Sequence, residues 1–201
     1  MKLPRPLFVV FEGLDGSGKS TCAALLAKRI DAELLTTPSP RIRRYRDELV
    51  DSFGSSQEAR QLFYLATVCA ASEEASALLR QGRSVVLDRY FLSTQAYAAF
   101  RGSRLELDDL QHLLQPADVT IYLDSSLATR LARLQHRKQS REDQETITAE
   151  ADEHLREEHL RRSHLQVLGR FLRIAGEQTP EELLARVLAE LTLAPTHSSG
   201  P

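Results

Sequence analysis

Nine consecutive residues, Gly13-Leu14-Asp15-Gly16-Ser17-Gly18-Lys19-Ser20-Thr21, carry the residue types and spacing of a phosphate cradle. Gly13, Gly18, Lys19 and Ser20 satisfy G-x-x-x-x-G-K-[ST]. Glycines let the backbone curl so that successive N–H groups point inward at an anion, and a helix opening at Gly18 adds the positive end of its dipole. Lys19 has the reach for the β- and γ-phosphates of a nucleoside triphosphate, and the Ser20 hydroxyl suits Mg²⁺. The other outcome for such a stretch is a glycine-rich turn that binds nothing. At average residue usage the four fixed positions recur by chance in about one chain in a hundred. An apolar run before the motif, Leu7 to Phe11, and a helical pattern after it, Cys22 to Arg29, make chance rarer.

Phosphoryl transfer relies on positioning and positive charge more than on covalent groups. Asp88-Arg89 closes the apolar run Ser84 to Leu87. Asp88 suits Mg²⁺ or an attacking oxygen, against the bland role of capping the next helix. Arg89 suits bidentate grip of an oxyanion, against a structural salt bridge. Arg130, Arg133, Arg137 and Arg141 lie three or four apart and fit one helical face. The polar segment that follows, about 136–148, fits a lid that closes over phosphates.

The elements that must hold these groups alternate. Strands are predicted at Leu7–Phe11, Ala32–Thr36, Ser84–Asp88, Val119–Leu123 and Phe171–Ile174. Helices are predicted between them: after the glycine-rich turn, at Arg41–Ser52, Ser56–Arg80, Ser93–Phe100, Leu105–Leu114, Leu127–Gln135, Ala149–Gln166, and from Pro180. Alternation of this kind implies a five-stranded parallel sheet flanked by helices, a three-layer α/β/α fold with its ligands at the carboxyl ends of the strands. The glycine-rich turn, Thr36–Pro40, Asp88-Arg89-Tyr90 and Asp124 then share one rim. One domain over residues 1–193 is expected, with a disordered tail at 194–201.

The 201 residues are 42% hydrophobic, enough for one core. No continuous apolar run approaches the ~20 residues of a membrane span, so no membrane partner is expected. A net charge of −2 gives no reason to expect nucleic acid as a partner. Cys22 and Cys69 fall in apolar helical patterns, which favours packed, reduced thiols and a cytoplasmic setting. His154, His159 and His164 recur every five residues, which spreads them around a helix and favours the surface over a zinc site.

Phe11-Glu12-Gly13-Leu14-Asp15-Gly16-Ser17-Gly18-Lys19-Ser20-Thr21, with Asp88-Arg89-Tyr90, Ser93 and Ala96-Tyr97, resembles the thymidylate kinase family of P-loop nucleoside monophosphate kinases. The likeness runs loosely over residues 7–193. It implies a P-loop NTPase fold, usually a homodimer, and transfer of the ATP γ-phosphate to dTMP with Mg²⁺. It further implies that Gly13, Asp15, Gly16, Ser17, Gly18, Lys19, Ser20 and Thr21 surround ATP, and that Ser20 and Asp88 organise the metal. Asp15 would accept a hydrogen bond from the sugar 3′-hydroxyl, Arg89 would hold the acceptor phosphate, and Tyr97 would pack on the sugar. Lys19, Asp88, Arg89, Arg133 and Arg137 would act in catalysis, with Arg141 beside them in the lid. Where the family has an Arg-Glu-Pro-Gly-Gly loop, this chain reads Thr36-Thr37-Pro38-Ser39-Pro40-Arg41, in which either Arg41 or no residue replaces the arginine. Tyr64 aligns with the base-stacking aromatic, Val68 with a base-bonding arginine, and Ala98 with a glutamine. The lid reads Arg141-Glu142-Asp143-Gln144-Glu145 instead of Asp-Arg-x-Glu. Such departures resemble the branch that includes UMP/CMP kinases, so the expected acceptor is a pyrimidine (deoxy)nucleoside monophosphate, with dTMP as default. Two alternatives are a deoxynucleoside kinase, with Asp88 or Glu12 as base toward a 5′-hydroxyl, and a nucleotide-binding module without kinase activity.

Overall fold

Five apolar strand segments assemble side by side in the computed structural model, which describes residues 4–135 and 146–192. In chain order the strands are β1 (Phe8–Gly13), β2 (Glu33–Thr36), β3 (Val85–Asp88), β4 (Val119–Asp124) and β5 (Arg170–Ala175). All are parallel, in the order β2-β3-β1-β4-β5. β1, β3 and most of β4 are buried on both faces, as parallel strands between two helix layers must be.

The helices are α1 (Lys19–Ile30), α2 (Pro40–Arg43), α3 (Arg46–Ser52), α4 (Gln57–Arg80), α5 (Phe91–Phe100), α6 (Leu127–Leu134), α7 (Ala149–Arg161) and α8 (Pro180–Thr192). They enclose two cores. On one face Leu65, Val68 and Ala71 of α4 and Tyr90 to Leu92 at the start of α5 meet Phe8, Val10 and Leu87. On the other, Cys22, Ala23 and Leu26 of α1 and Leu183 and Val187 of α8 meet Val9, Phe11, Val86 and Ile121.

Three predicted helices differ. The segment expected from Arg41 to Ser52 is split into α2 and α3, because Tyr45 leaves helical geometry (φ −108°, ψ 1°). Leu105–Leu114 tightens to a 3₁₀ stretch at Asp108–Leu113. The helix expected to reach Gln166 stops at Arg161, since Leu165, Val167 and Leu168 turn inward to the first core. By length and composition α4 is the one described helix apolar enough to cross a membrane (mean hydropathy 1.3), although no single run in it is continuous. Its Leu65, Val68, Ala71 and Ala75 lie in the core instead. The expected lid falls mostly on residues 136–145, and the expected tail falls on 194–201; both lie outside the described residues.

Parallel register sets the rim. Phe11 pairs with Asp88, Thr36 with Asp88, Gly13 with Leu123, and Asp124 with Ala175. The carboxyl ends of all five strands therefore finish at one edge, and the chemistry gathers there.

Candidate active site

The glycine-rich turn joins β1 to α1 with three glycines at positive φ. A Cβ at Gly13 (φ +140°) would lie 2.6 Å from the Leu123 carbonyl oxygen, and one at Gly16 (φ +80°) 2.8 Å from that of Arg130. Both positions need glycine on conformation and on space. Gly18 caps α1, so the first helical N–H groups face the turn. Lys19 is buried, and its ammonium donates to the Leu14 carbonyl at 3.2 Å while standing 3.8 Å from Asp15 Oδ1. Burial first, and then the neighbouring Arg89 guanidinium, lower its pKa to about 8 against the opposing pull of Asp15 and Asp88.

A cavity of about 390 Å³ opens beside this turn. Asp15, Lys19 and Ser20 line it from the turn, and Asp88 and Arg89 from the end of β3. Gln57, Arg60, Gln61, Tyr64 and Thr67 line it from α4, and Ser93, Thr94, Tyr97, Ala98 and Arg101 from α5 and its C-terminus. The spacing on each helix is that of one face.

Arg89 is the hub. One terminal nitrogen donates to Asp15, the other to Ser93 Oγ at 3.1 Å, and its guanidinium sits 5.2 Å from the Tyr97 ring centroid. Its backbone is left-handed (φ 68°), a conformation that costs about 1–2 kcal/mol outside glycine. Two hydrogen bonds hold it there. The Arg89 N–H donates to the Phe11 carbonyl at 2.9 Å, and the Thr37 hydroxyl donates to the Arg89 carbonyl at 2.9 Å. The Tyr97 hydroxyl donates to Asp15 Oδ2 at 2.8 Å. Burial opposes the charge of Asp15, but Arg89 and Lys19 outweigh it and hold this carboxyl well below the usual range. Burial and the Asp15 carboxylate push the Tyr97 hydroxyl up, so it remains a donor. Asp88 Oδ1 is enclosed and has no hydrogen-bond partner among the described residues.

The structure thus brings together Asp15, Lys19, Ser20, Tyr64, Asp88, Arg89 and Tyr97. Arg41 is exposed and does not line the cavity; Arg43 at the end of α2 and Arg46 at the start of α3 line it instead. Arg43 is steadied by a bond to the Pro38 carbonyl at 3.3 Å. Arg133 reaches from α6 to the Ser17 carbonyl at 3.0 Å and the Gly176 carbonyl at 2.8 Å, next to the phosphate turn. Arg130 does not share a solvent face with it. It is fully buried and ties α6 to the Asp15 carbonyl (2.8 Å), to Asp152 and to the Thr146 carbonyl. Arg137 and Arg141 lie outside the described residues.

Three further readings are corrected. His159 is fully buried between Tyr97 and Tyr122, its ring centroid 6.1 and 5.3 Å from theirs. Desolvation lowers its pKa to about 3, so it is neutral at physiological pH. Cys69 is exposed, whereas Cys22 is buried. Glu12 is buried with both oxygens engaged: Oε1 accepts from the backbone of Tyr90 (3.0 Å) and Ser93 (3.2 Å), and Oε2 from the Ser93 hydroxyl. The signal for Glu12 was a lone acid in an otherwise apolar strand.

The chain is similar to characterised and solved proteins along most of its length. The thymidylate kinase family profile matches residues 11–186. The thymidylate kinase of Leptospira borgpetersenii serovar Hardjo-bovis is 32% identical over 168 residues, covering 73% of this chain and 77% of that protein. That of Ruegeria pomeroyi is 33% identical over 164 residues, covering 75% and 78%. Among solved structures, Candida albicans thymidylate kinase superposes with a TM-score of 0.72 at 21% identity, covering 94% of this chain and 92% of that one. Deoxyadenosine kinase from M. mycoides, solved with dATP bound, gives 0.66 at 20% identity, covering 92% and 98%. At these identities the two structures speak to fold alone.

Proposed function

We infer the reaction from one established point: the chain belongs to the thymidylate kinase family. It is an ATP-dependent nucleoside monophosphate kinase, and dTMP is the acceptor we assign to it. One observation carries the acceptor class. A guanidinium, Arg89, lines the cavity together with Lys19 and Ser20, and the carboxylate beside it, Asp88, is assigned here to the metal. A phosphate-bearing acceptor needs such a cation, whereas a nucleoside kinase needs a carboxylate within reach of a hydroxyl. Glu12 cannot serve as that base, because it is 0% exposed and its oxygens are occupied by Tyr90 and Ser93.

On this reading the glycine-rich turn wraps the donor phosphates and Lys19 meets the charge that develops on the transferred group. Arg133, lying on the Ser17 carbonyl, borders the same phosphates. Arg89, with Arg43 nearby, holds the acceptor phosphate, and Tyr64 and Tyr97 flank the base and sugar. Asp15 accepts from the sugar hydroxyl with the carboxylate sites left beside Arg89 and Tyr97. Ala98 and the buried Val68 donate nothing to the base edge, so stacking on Tyr64 supplies more of the selectivity.

The residues also fit Mg²⁺. The unpartnered, enclosed Asp88 Oδ1 lies with the Ser20 hydroxyl on the cavity wall. Mg²⁺ usually takes one or two protein ligands together with substrate phosphates and water. When bound, it supplies charge neutralisation to the phosphates.

A homodimer is supported by α4, whose outer side presents Leu62 (51% exposed), Ala66, Cys69 and Ala70 along one stripe. Small residues there let a second copy of the helix approach closely. Leu62→Arg should shift sedimentation from dimer to monomer; an unchanged sedimentation coefficient would remove this surface from the assembly. The two free thiols support the cytoplasm as the setting.

The test is ADP release from ATP and Mg²⁺ with dTMP, dUMP, dCMP, UMP and CMP and with the matching nucleosides. Turnover with dTMP is expected. Turnover with nucleosides alone would select the nucleoside kinase, and none with any acceptor would select the binding module.

A further inference from the structure

We propose that Glu12 is a positioning residue, orienting the Arg89 guanidinium toward the acceptor phosphate through the Ser93 hydroxyl. Glu12 stands in β1, one residue before the glycine-rich turn, with no exposed surface. Burial pushes the Glu12 carboxyl above its usual range, and hydrogen bonds that replace its water work against that and favour the ionised form. Here two come from the first turn of α5, from the N–H groups of Tyr90 and Ser93. These are groups a helix cannot satisfy by itself. The third comes from the Ser93 hydroxyl, whose oxygen also accepts from Arg89 Nη1 at 3.1 Å.

A serine hydroxyl has one proton to give. Because Glu12 takes it, the Ser93 lone pairs are left for Arg89, and the chain has one polarity: Arg89 donates to Ser93, which donates to Glu12. Without that acceptor the Ser93 proton is free to turn toward Arg89, which would set two donors face to face. Asp15 holds the other terminal nitrogen. Two anchors fix the plane of the guanidinium, and its remaining donors are left for the cavity.

A helix cap alone would explain the two backbone bonds but not the link to Arg89, and two variants separate these roles. Ser93→Ala keeps both backbone bonds and cuts the link. Glu12→Gln preserves shape but places an amide donor opposite Ser93, which reverses the polarity. This inference rests on Arg89 as the acceptor-phosphate cation, so two readouts on the full chain are used. In steady-state kinetics each variant should raise the KM for dTMP about tenfold, the loss of one hydrogen bond to a charged group. The KM for ATP should stay within about twofold, and the double variant should be no worse than the worse single one. In the ligand-free protein, ¹H–¹⁵N spectra of arginine side chains, with Arg89 assigned through Arg89→Lys, should show an ordered Nε–H that becomes disordered in both variants. Unchanged dTMP kinetics with only a lower melting temperature would overturn the proposal, as would additive effects or equal Arg89 order in all three proteins. If the wild-type protein fails to phosphorylate dTMP, the assignment of the acceptor falls, and the Arg89 spectra alone decide for or against the Glu12 link.

Discussion

Replacing Arg89 by lysine keeps the charge and removes the fork. The two terminal nitrogens of Arg89 serve different partners, Asp15 and Ser93 Oγ. An ammonium on a flexible stem cannot hold both while also presenting donors to a phosphate. One charge-assisted hydrogen bond is worth about 1.5–3 kcal/mol. At 1.4 kcal/mol per tenfold, kcat/KM for dTMP should fall roughly 10- to 150-fold. Arg89→Ala removes the cation altogether, on the scale of a lost oxyanion donor, about 2.7–4 kcal/mol, or roughly 10²- to 10³-fold. Among the described residues it also leaves Asp15 with Lys19, at 3.8 Å, as its remaining ion-pair partner, so some stability should be lost as well. The assay is steady-state ADP release with dTMP and ATP varied separately, read beside thermal melting. In both variants the KM for ATP should stay within about twofold. A fall in ATP use equal to the fall in dTMP use would refute the assignment of Arg89 to the acceptor. Full activity in Arg89→Lys would refute the argument from the fork.

Lys19→Ala should lower kcat at least ~10²-fold, as loss of a charge that stabilises the transition state does. Circular dichroism should be unchanged, because the ammonium is buried and its removal relieves desolvation; normal turnover would remove Lys19 from the chemistry. Because its pKa in the free protein lies near 8, kcat/KM for ATP should decline above pH 8. The kcat should hold to higher pH, since bound phosphates keep the proton on; a flat kcat/KM profile to pH 10 would contradict this. For stability the sign is opposite: the unfolded chain binds the Lys19 proton more tightly, so this group favours folding increasingly as pH rises from about 8 toward 10. Gly16→Ala forces positive φ on alanine and a Cβ 2.8 Å from the Arg130 carbonyl oxygen, so Tm and ATP affinity should both drop. Wild-type affinity in isothermal titration with ATP would show that the turn adapts.

The parts of the molecule that could be read from the sequence are those written in local pattern. β1, β3 and β4 are apolar runs that end in Gly13, Asp88 and Asp124, and the register of a parallel sheet then carries those ends to one rim. The glycine-rich turn announces itself, because its φ angles and close contacts tolerate nothing else. What escaped depends on distance in the chain. Arg41 and Arg43 are two residues apart within α2, which sets them on nearly opposite sides of the helix, and only the way α2 is seated decides which meets the cavity. His159 belongs to an evenly spread set of histidines, and its burial follows from Tyr97 and Tyr122 arriving from other elements. Arg130 and Arg133 look alike on a helical wheel, yet Asp152 of α7 draws the first into a structural ion pair. Glu12 has partners 78 and 81 residues away, beyond the reach of any local pattern.

The most direct measurement is ³¹P NMR of the purified protein with ATP, Mg²⁺ and an equimolar mixture of dTMP and thymidine. Growth of a β-phosphate resonance from dTDP, with an equal amount of ADP and with thymidine untouched, is the expected result. New dTMP formed from thymidine, or ADP and free phosphate with no new nucleotide, would contradict it.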